Sequence, residues 1–501
     1  MGKNKSIYEN LTEFYNKNEP NFLIIEDILY KDFDIPHKIT KDTIKNMLSE
    51  AFDNSRMTNL NKYSFLKSFL IYYGVMFYFL LLSIFGKKDK DKNKIKKVDV
   101  IFDYWTLNAD KFYKLFYKLL GEHAVGLIIT GKNILSKDIN NNILIIDTST
   151  SAYSKYFTKA VSLKIFKKQI LKFYIYSNLS KKMNFNMVNI ILRLLKNIAS
   201  SRTDMNEVNA RVLLSANDNG YNAMRYYFYK ENIDKTILIQ NGHRQGYLTN
   251  CDGDCFTYCD YYIGFGKENI DAQIEMNCSN KLTYGTLNND ILLKTYELNS
   301  EKNIYDVLYM EEYIFEKNPR VEPRSYRKNM EYLCRFTREH PKFKVGYRVR
   351  EPRSNITDKI LLKNLQTYDK MLKESNITID DTEHENSYYA VLNSNVIIYY
   401  ATTIGVESLG INKKVLNVNI DKLNPKPTFN ISDKNEIGML VDDNYDLFEE
   451  KLLYLLENDN DEIDNYYKNK KKSMMNQEEN LHEKICNIIE KEIIKSKKSK
   501  L

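Results

Sequence analysis

Thr402 and Thr403 stand between an apolar run, Asn395–Tyr400, and a helical pattern that begins at Ile404 and runs to Leu409. The run is rich in β-branched and aromatic residues and reads as a buried strand. A strand that delivers two hydroxyls to a helix N-terminus builds an anion site, because first-turn N–H groups and the helix dipole both favour phosphate. Gly405 falls in the first turn and Glu407 one turn in. In open α/β sheets ligands sit outside the carboxyl ends of strands, where this turn lies. The same residues also describe an ordinary capped helix, with either threonine as the cap.

A second loop can do acid–base chemistry. The apolar strand Thr236–Gln240 is broken by Asn241-Gly242-His243-Arg244-Gln245-Gly246. Gly242 and Gly246 permit backbone geometries that other residues resist. His243 is a proton acceptor near neutral pH, with Arg244 beside it. One unit earlier, Asp218 in Asn217-Asp218-Asn219-Gly220 follows the strand Val212–Ser215. It reads as a base, as a ligand of a sugar hydroxyl, or as a helix cap.

Arginine is scarce in this Lys-rich chain, yet Arg320, Arg324, Arg327, Arg335, Arg338, Arg348, Arg350 and Arg353 crowd one window. Arg presents a planar fork suited to phosphate or carboxylate. Arg348 and Arg350, near the end of the strand Val345–Val349, are the expected ligands; the alternative is a surface helix from Ser325 to Glu339 with ordinary solvated charges. Metal signals are weaker. Cys251, Cys255 and Cys259 lack the paired spacing of zinc sites. Asp252-Gly253-Asp254 has two carboxylates for a divalent cation, but a polar Leu248-Thr249-Asn250-Cys251 precedes it where an apolar strand belongs. Gly264-Phe265-Gly266 lacks the third glycine of a dinucleotide fingerprint. No metal site is expected.

The 501 residues exceed one typical core, and a hydrophobic share of 43% supplies a large interior. The 39 Tyr, with abundant Lys, Asn and Ile, fit AT-rich codon usage. The net charge is +8, with lysines concentrated in Lys87–Lys97 and in the tail Lys491–Leu501. These runs carry no interleaved base-stacking aromatics, so nucleic acid is not the expected partner. Six scattered Cys without a secretory signal fit a reducing compartment. Phe69–Phe85 carries no charge and is flanked by lysines. It reads as a monotopic helix sunk in one leaflet with lysines on acidic headgroups, ahead of a single-pass span or a buried core helix.

The elements that must position these residues alternate. Expected strands are Val98–Phe102, Val125–Thr130, Ile143–Asp147, Val212–Ser215, Ile237–Gln240 and Tyr261–Gly264, with helices at Phe112–Leu120, Phe166–Tyr176, Met187–Ile198 and Tyr221–Lys230. A second set comprises Ile304–Tyr309, Val345–Val349, Ile377–Ile379, Asn395–Tyr400, Val415–Val418 and Met439–Val441. Helices at Tyr326–Glu339, Lys359–Lys373, Ser387–Leu392, Thr403–Leu409 and Tyr445–Leu456 lie between them. This is the rhythm of doubly wound parallel sheets. The division is a lead-in at 1–62 with a strand at Phe22–Ile25, a hydrophobic helix and lysine linker at 63–97, α/β domains at 98–300 and 301–458, and a charged helix at 459–501.

ILIQNGHRQGY, CDYYIGFGKENI, LTYGTLNND and NSNVIIYYATTIGVESLGINKKVL follow one another between Val212 and Asn419. In that order they resemble the GT-B glycosyltransferases of bacterial surface-polysaccharide synthesis, of the surface carbohydrate biosynthesis type. Kdo transferases, polysialyltransferases and CDP-glycerol glycerophosphotransferases are more distant kin. The resemblance implies two Rossmann-like domains facing a cleft, with an N-terminal membrane-associated helical segment. The C-terminal domain would hold a CMP-, CDP- or UDP-linked sugar, with Thr402 and Thr403 on phosphate and Glu407 on nucleotide or sugar hydroxyls. Arg348 and Arg350 would help stabilise the leaving phosphates, and Glu383-His384 is a further donor-side pair. The N-terminal domain would hold a glycan or lipid-linked acceptor beside Gln240, Gly242 and Arg244, with His243 or Asp218 as base. Such enzymes need no metal or other cofactor, and work at the cytoplasmic face of the inner membrane. Asn241 stands where the family has His directly after Gln, and His340-Pro341 alone matches its His-Pro dipeptide. A CDP-polyol phosphotransferase or a non-catalytic assembly protein of the same fold are the alternative expectations.

Overall fold

The computed structural model describes residues 7–53, 64–86, 96–103, 116, 123–129, 144–147, 157–205, 208–216, 223–242, 257–271, 276–296, 304–311, 323–357, 359–382, 386–400, 402–420 and 436–499. Two parallel sheets organise them. The first contains β1 (Lys96–Asp103), β2 (Val125–Ile129), β3 (Leu144–Asp147), β4 (Val208–Ser215), β5 (Ile233–Ile239), β6 (Tyr258–Gly264) and β7 (Asn277–Thr283). Their spatial order is β3-β2-β1-β4-β5-β6-β7. The second contains β8 (Tyr305–Met310), β9 (Val345–Arg348), β10 (Thr378–Asp380), β11 (Ser394–Tyr399), β12 (Lys414–Val418) and β13 (Met439–Leu440), in the order β10-β9-β8-β11-β12-β13.

Each sheet starts in its middle, grows to one side, then reverses. The reversal falls between β1 and β4 in the first sheet and between β8 and β11 in the second. This is the Rossmann order, and the crevice at its reversal is where such sheets bind ligands. The fold is therefore α/β and GT-B-like, with two Rossmann-like lobes. The expected strands are present with shifted ends. β7 was not expected: its sequence, NCSNKLT, is polar because it is an edge strand with exposed residues at its centre.

The N-terminal region departs from expectation. Phe22–Ile25 is not a strand; it lies inside the helix Glu19–Phe33. Phe22, Ile25, Leu29 and Phe33 are buried at helical spacing, a stripe that a four-residue window cannot distinguish from a strand. The helices Ile7–Lys17, Glu19–Phe33, His37–Asp53 and Phe65–Phe85 do not stand apart from the first lobe. They share one core with Lys159–Gln169, Phe173–Met183 and Met187–Met205, through Phe22, Ile44, Tyr72, Phe79, Tyr176 and Leu195. The expected helix Phe166–Tyr176 is two helices, broken at 170–172. Phe112–Leu120 lies outside the described residues except Phe116.

Phe65–Phe85 is long and apolar enough to cross a membrane by length and composition. It buries one face, Ser68, Tyr72, Met76, Phe79 and Leu82, and Tyr72 Oη donates to the Gln169 carbonyl at 2.6 Å. Leu66, Leu70, Phe77, Ile84 and Phe85 face outward, each more than half exposed, as are Leu171 and Tyr174 nearby in sequence to its packing partner Phe173.

The charged tail is also two helices. Asp461–Met474 places Ile463, Tyr467 and Met474 in the core of the second lobe. After 475–480 the chain returns to the first lobe. There Leu481–Ser499 sets Leu481, Ile485, Ile489 and Ile493 against Val100, Val212, Ile237 and Ile263.

Candidate functional site at the junction of the lobes

β11 ends at Tyr399, and three residues later Thr402 occupies the N-cap of the helix Thr403–Gly410. Thr402 has extended φ/ψ of −71° and 139°, and its side chain makes no cap hydrogen bond. Both threonines are partly exposed. The helix crosses tightly over its own strand. A Cβ on Gly405 would lie 2.1 Å from Tyr399 Cγ, so no other residue fits without moving the helix or the ring. The Thr402 turn thus sits at the carboxyl end of β11, beside the reversal point of the second sheet.

Glu407 is one turn further on and 1% exposed. Its Oε1 accepts from Thr286 Oγ1 at 2.9 Å and Asn288 Nδ2 at 3.0 Å, and its Oε2 from Tyr388 Oη at 2.8 Å. Asn289 Nδ2 donates to the Glu407 carbonyl at 2.9 Å. Thr286, Asn288 and Asn289 follow β7 in the first lobe. The two motifs LTYGTLNND and ATTIGVESLG therefore meet, and the carboxyl edges of the two sheets face one another there. Burial pushes the Glu407 carboxyl above the usual range, against the three donors that favour its ionised form. As placed, Glu407 bonds protein donors across the lobes rather than an open hydroxyl site. Thr403, four residues earlier, shares its helix face.

A strap reinforces this junction. Asn476 N–H donates to the Phe265 carbonyl at 2.8 Å, Glu478 N–H to the Tyr284 carbonyl at 3.0 Å, and Thr286 N–H to Gln477 Oε1 at 3.0 Å. A Cβ on Gly266 would meet Ser473 O at 2.4 Å, and one on Gly410 would meet Asn289 Nδ2 at 2.4 Å. Gly285 has φ +92° and lies against Gln477. Gly266 of the GFG motif and Gly285 of the YGT motif thus admit this crossing segment.

The arginine cluster is largely committed to the second lobe itself. Arg348 has no exposed surface. Its Nε donates to Ser387 Oγ at 2.8 Å, its Nη1 to Asp380 Oδ1 at 2.8 Å and Thr382 Oγ1 at 2.6 Å, and its Nη2 to the Thr382 carbonyl at 3.0 Å. A donor ligand would have to displace these partners, which corrects the expectation of an open phosphate clamp. Arg353 forks onto Glu311 and Asp369. Arg335 pairs with Glu339 and lies 3.8 Å over the Tyr445 ring. Arg350 is exposed at the end of β9, and its backbone N–H donates to Glu311 Oε2 at 2.9 Å. Arg320 lies outside the described residues.

In the first lobe, Gln240 is buried at the end of β5. Its Oε1 accepts from Phe265 N–H at 2.9 Å, and its Nε2 donates to the Gly242 carbonyl at 2.8 Å and Asn269 Oδ1 at 3.2 Å. Gln240 therefore fixes the start of the Gly242 loop. His243, Arg244, Asp218, Glu383, His384, Cys251, Cys255, Asp252 and Asp254 lie outside the described residues. Sequence reasoning missed Asp103 and Ser215. They are register partners at the last positions of β1 and β4, at the reversal of the first sheet. Arg225 Nη2 donates to Asp103 Oδ2 at 2.9 Å, and Ser215 Oγ at 3.3 Å. The available signal was an acidic residue closing an apolar strand.

Among the described residues one group could hold a cation: Glu339, His340 and Glu449, whose ligand atoms lie within 4.8 Å of one another. His340 Nε2 already lies 2.6 Å from Glu449 Oε1, and Glu339 accepts from Arg335 and Tyr445. Glu339 ends the helix that leads into β9 and His340-Pro341 follows it, so these residues lie at the amino end of that parallel strand, away from the carboxyl edge that carries the Thr402 turn.

No family model and no curated protein matches the chain. Among solved structures, the wall teichoic acid polymerase TagF aligns at 10% identity and TM-score 0.48, over 86% of this chain and 98% of that one. UDP-GlcNAc 2-epimerase from Neisseria meningitidis, bound to UDP-GlcNAc, aligns at 13% identity and TM-score 0.45, over 79% and 100%. The S. aureus MnaA–UDP structure aligns at 12% identity and TM-score 0.44, over 78% and 96%.

Proposed function

We propose that the protein is a glycosyltransferase of surface-polysaccharide synthesis, moving a sugar from a nucleotide-activated donor to a glycan or lipid-linked acceptor. One observation carries this reading. The Thr402–Thr403 turn sits at the reversal point of a Rossmann-order sheet, opens a helix whose cap side chain leaves the first-turn amides unbonded to it, and lies one helical turn from a bond to the opposite lobe. Helix N-terminal amides stabilise phosphate charge without a metal. Thr402 and Thr403 hold the donor phosphates in this reading, and Arg350 approaches from the end of β9. The acceptor hydroxyl is deprotonated from the first lobe, by His243 in the loop that Gln240 anchors or by Asp218 after β4. Glu383 and His384, which follow β10 in sequence, serve the donor side in this reading.

Thermal shift with CMP-, CDP-, UDP- and GDP-linked ligands tests the donor. A nucleotide sugar is expected to stabilise the protein, and Thr403→Val to reduce the shift. Stabilisation by CDP-glycerol or CDP-ribitol alone would reassign the enzyme to polyol-phosphate transfer. No shift with any ligand would leave a non-catalytic assembly protein as the better reading.

The outward face of Phe65–Phe85, with Leu171 and Tyr174, suits one leaflet of an anionic membrane. The supporting observation is a row of exposed apolar residues on a helix whose other face is packed. This would place the enzyme at the cytoplasmic face of the inner membrane. Deleting the helix would strip Tyr72, Met76 and Phe79 from a core, so Leu70→Glu with Phe77→Glu is the sounder test. The pair should abolish co-sedimentation with anionic vesicles while leaving the melting temperature nearly unchanged; persistent sedimentation would refute membrane docking through this face.

A further inference from the structure

Cys259 and Cys278 are register partners on the adjacent parallel strands β6 and β7. Neighbouring strands lie about 4.8 Å apart and partner side chains leave the same face. That spacing falls within the Cα separation a disulfide accepts, about 4.4–6.8 Å. Neither residue is in a disulfide; Cys259 is buried and Cys278 is partly exposed. The two pack with Tyr226 and Met276 in a small apolar cluster beneath the sheet edge. The neighbouring Cys259 thiol, with help from the Asn280 backbone and Lys281, holds Cys278 below the ordinary thiol range although burial opposes this.

We propose that Cys259 and Cys278 form a dithiol site that closes to a disulfide when it meets a low-molecular-weight disulfide. The Cys278 thiolate attacks one sulfur of the oxidant and expels the first small thiolate. Cys259 loses its proton and attacks Cys278 Sγ in the mixed disulfide, which expels the second. Two protein thiols are oxidised by two electrons, the oxidant is reduced to two thiols, and both protein protons end on those products. The bond ties edge strand β7 to β6. β7 leads directly into the Tyr284–Thr286 turn that holds Gln477 and Glu407, so the cross-link stiffens the strand beneath the interlobe junction. The inference stands on strand register and does not depend on the donor chemistry proposed above.

Incubating the full-length protein with oxidised glutathione, alkylating free thiols, and mapping unreduced peptides tests it. The expected product is one linked peptide pair joining Cys259 to Cys278, two hydrogens lighter than the reduced pair, that separates on reduction. Cys259→Ser should instead trap glutathione on Cys278, and Cys278→Ser should leave Cys259 alkylatable. The idea falls if both thiols stay alkylatable in the wild-type protein, or if Cys259 pairs with Cys251 or Cys255. It also falls if Cys278 takes up no glutathione in the Cys259→Ser variant.

Discussion

Thr286 Oγ1 donates to Glu407 Oε1 at 2.9 Å, and this bond, with those from Asn288 and Asn289, joins the segment after β7 of one lobe to the helix after β11 of the other. Thr286 is 3% exposed, so its loss would leave a buried acceptor short of a donor. Thr286→Val should destabilise the protein by about 1–3 kcal/mol in urea unfolding, whereas Thr286→Ser should restore most of the loss. Equal stability of the Val variant would mean the bond contributes nothing.

Glu407 should make stability depend on pH in an unusual direction. Its folded pKa is raised by burial, so between the unfolded value of about 4.3 and the raised folded value the native state holds more protons than the unfolded one. Stability therefore falls as pH rises through that window, and the full penalty remains above it. Glu407→Gln should flatten this part of the profile of urea midpoint against pH. A wild-type profile that rises across the same window by the Glu407-dependent difference would contradict the assignment.

Gly405→Ala places a methyl group into the Tyr399 ring. Overpacking of this kind costs about 1–3 kcal/mol. It also moves the first turn of the Thr403 helix, so the donor-induced thermal shift should shrink together with the melting temperature. An alanine variant with wild-type melting would show that the helix can lift from its strand freely.

Arg348 and Arg350 should separate cleanly. Arg348→Ala leaves Asp380 without its buried partner and should cost about 3–5 kcal/mol. Arg350→Ala, at an exposed position, should change stability by less than about 0.5 kcal/mol while weakening donor binding in titration calorimetry. The reverse pattern would restore Arg348 as a ligand.

Much of the fold was legible because parallel strands are buried on both faces and read as apolar runs. β8, β11 and β12 were visible for that reason, and helix Lys359–Glu374 by its periodicity. β7 was not, because an edge strand need not be apolar. The N-terminal helices were obscured by Phe22-Leu23-Ile24-Ile25, where a buried stripe and its exposed neighbours merge into one short apolar run. At the site, the Thr402 turn was legible as a strand followed at once by a helix. The role of Glu407 was not, because its partners Thr286 and Asn288 lie more than a hundred positions away. In the arginine window, composition marks Arg348 as unusual, and only the fold reveals Asp380, Thr382 and Ser387 around it, from 32 to 39 positions along the chain.

The return of Leu481–Ser499 to the first lobe has a consequence for how the chain is made. Val100, Val212 and Ile237 emerge from the ribosome well before the apolar stripe that covers them, which follows the second lobe in the chain. The first sheet therefore waits, one side uncovered, through synthesis of the whole second lobe. A nonsense mutation near residue 475 should yield an aggregation-prone nascent product rather than a shortened soluble protein, because Leu481–Ser499 closes a structure begun almost four hundred residues earlier.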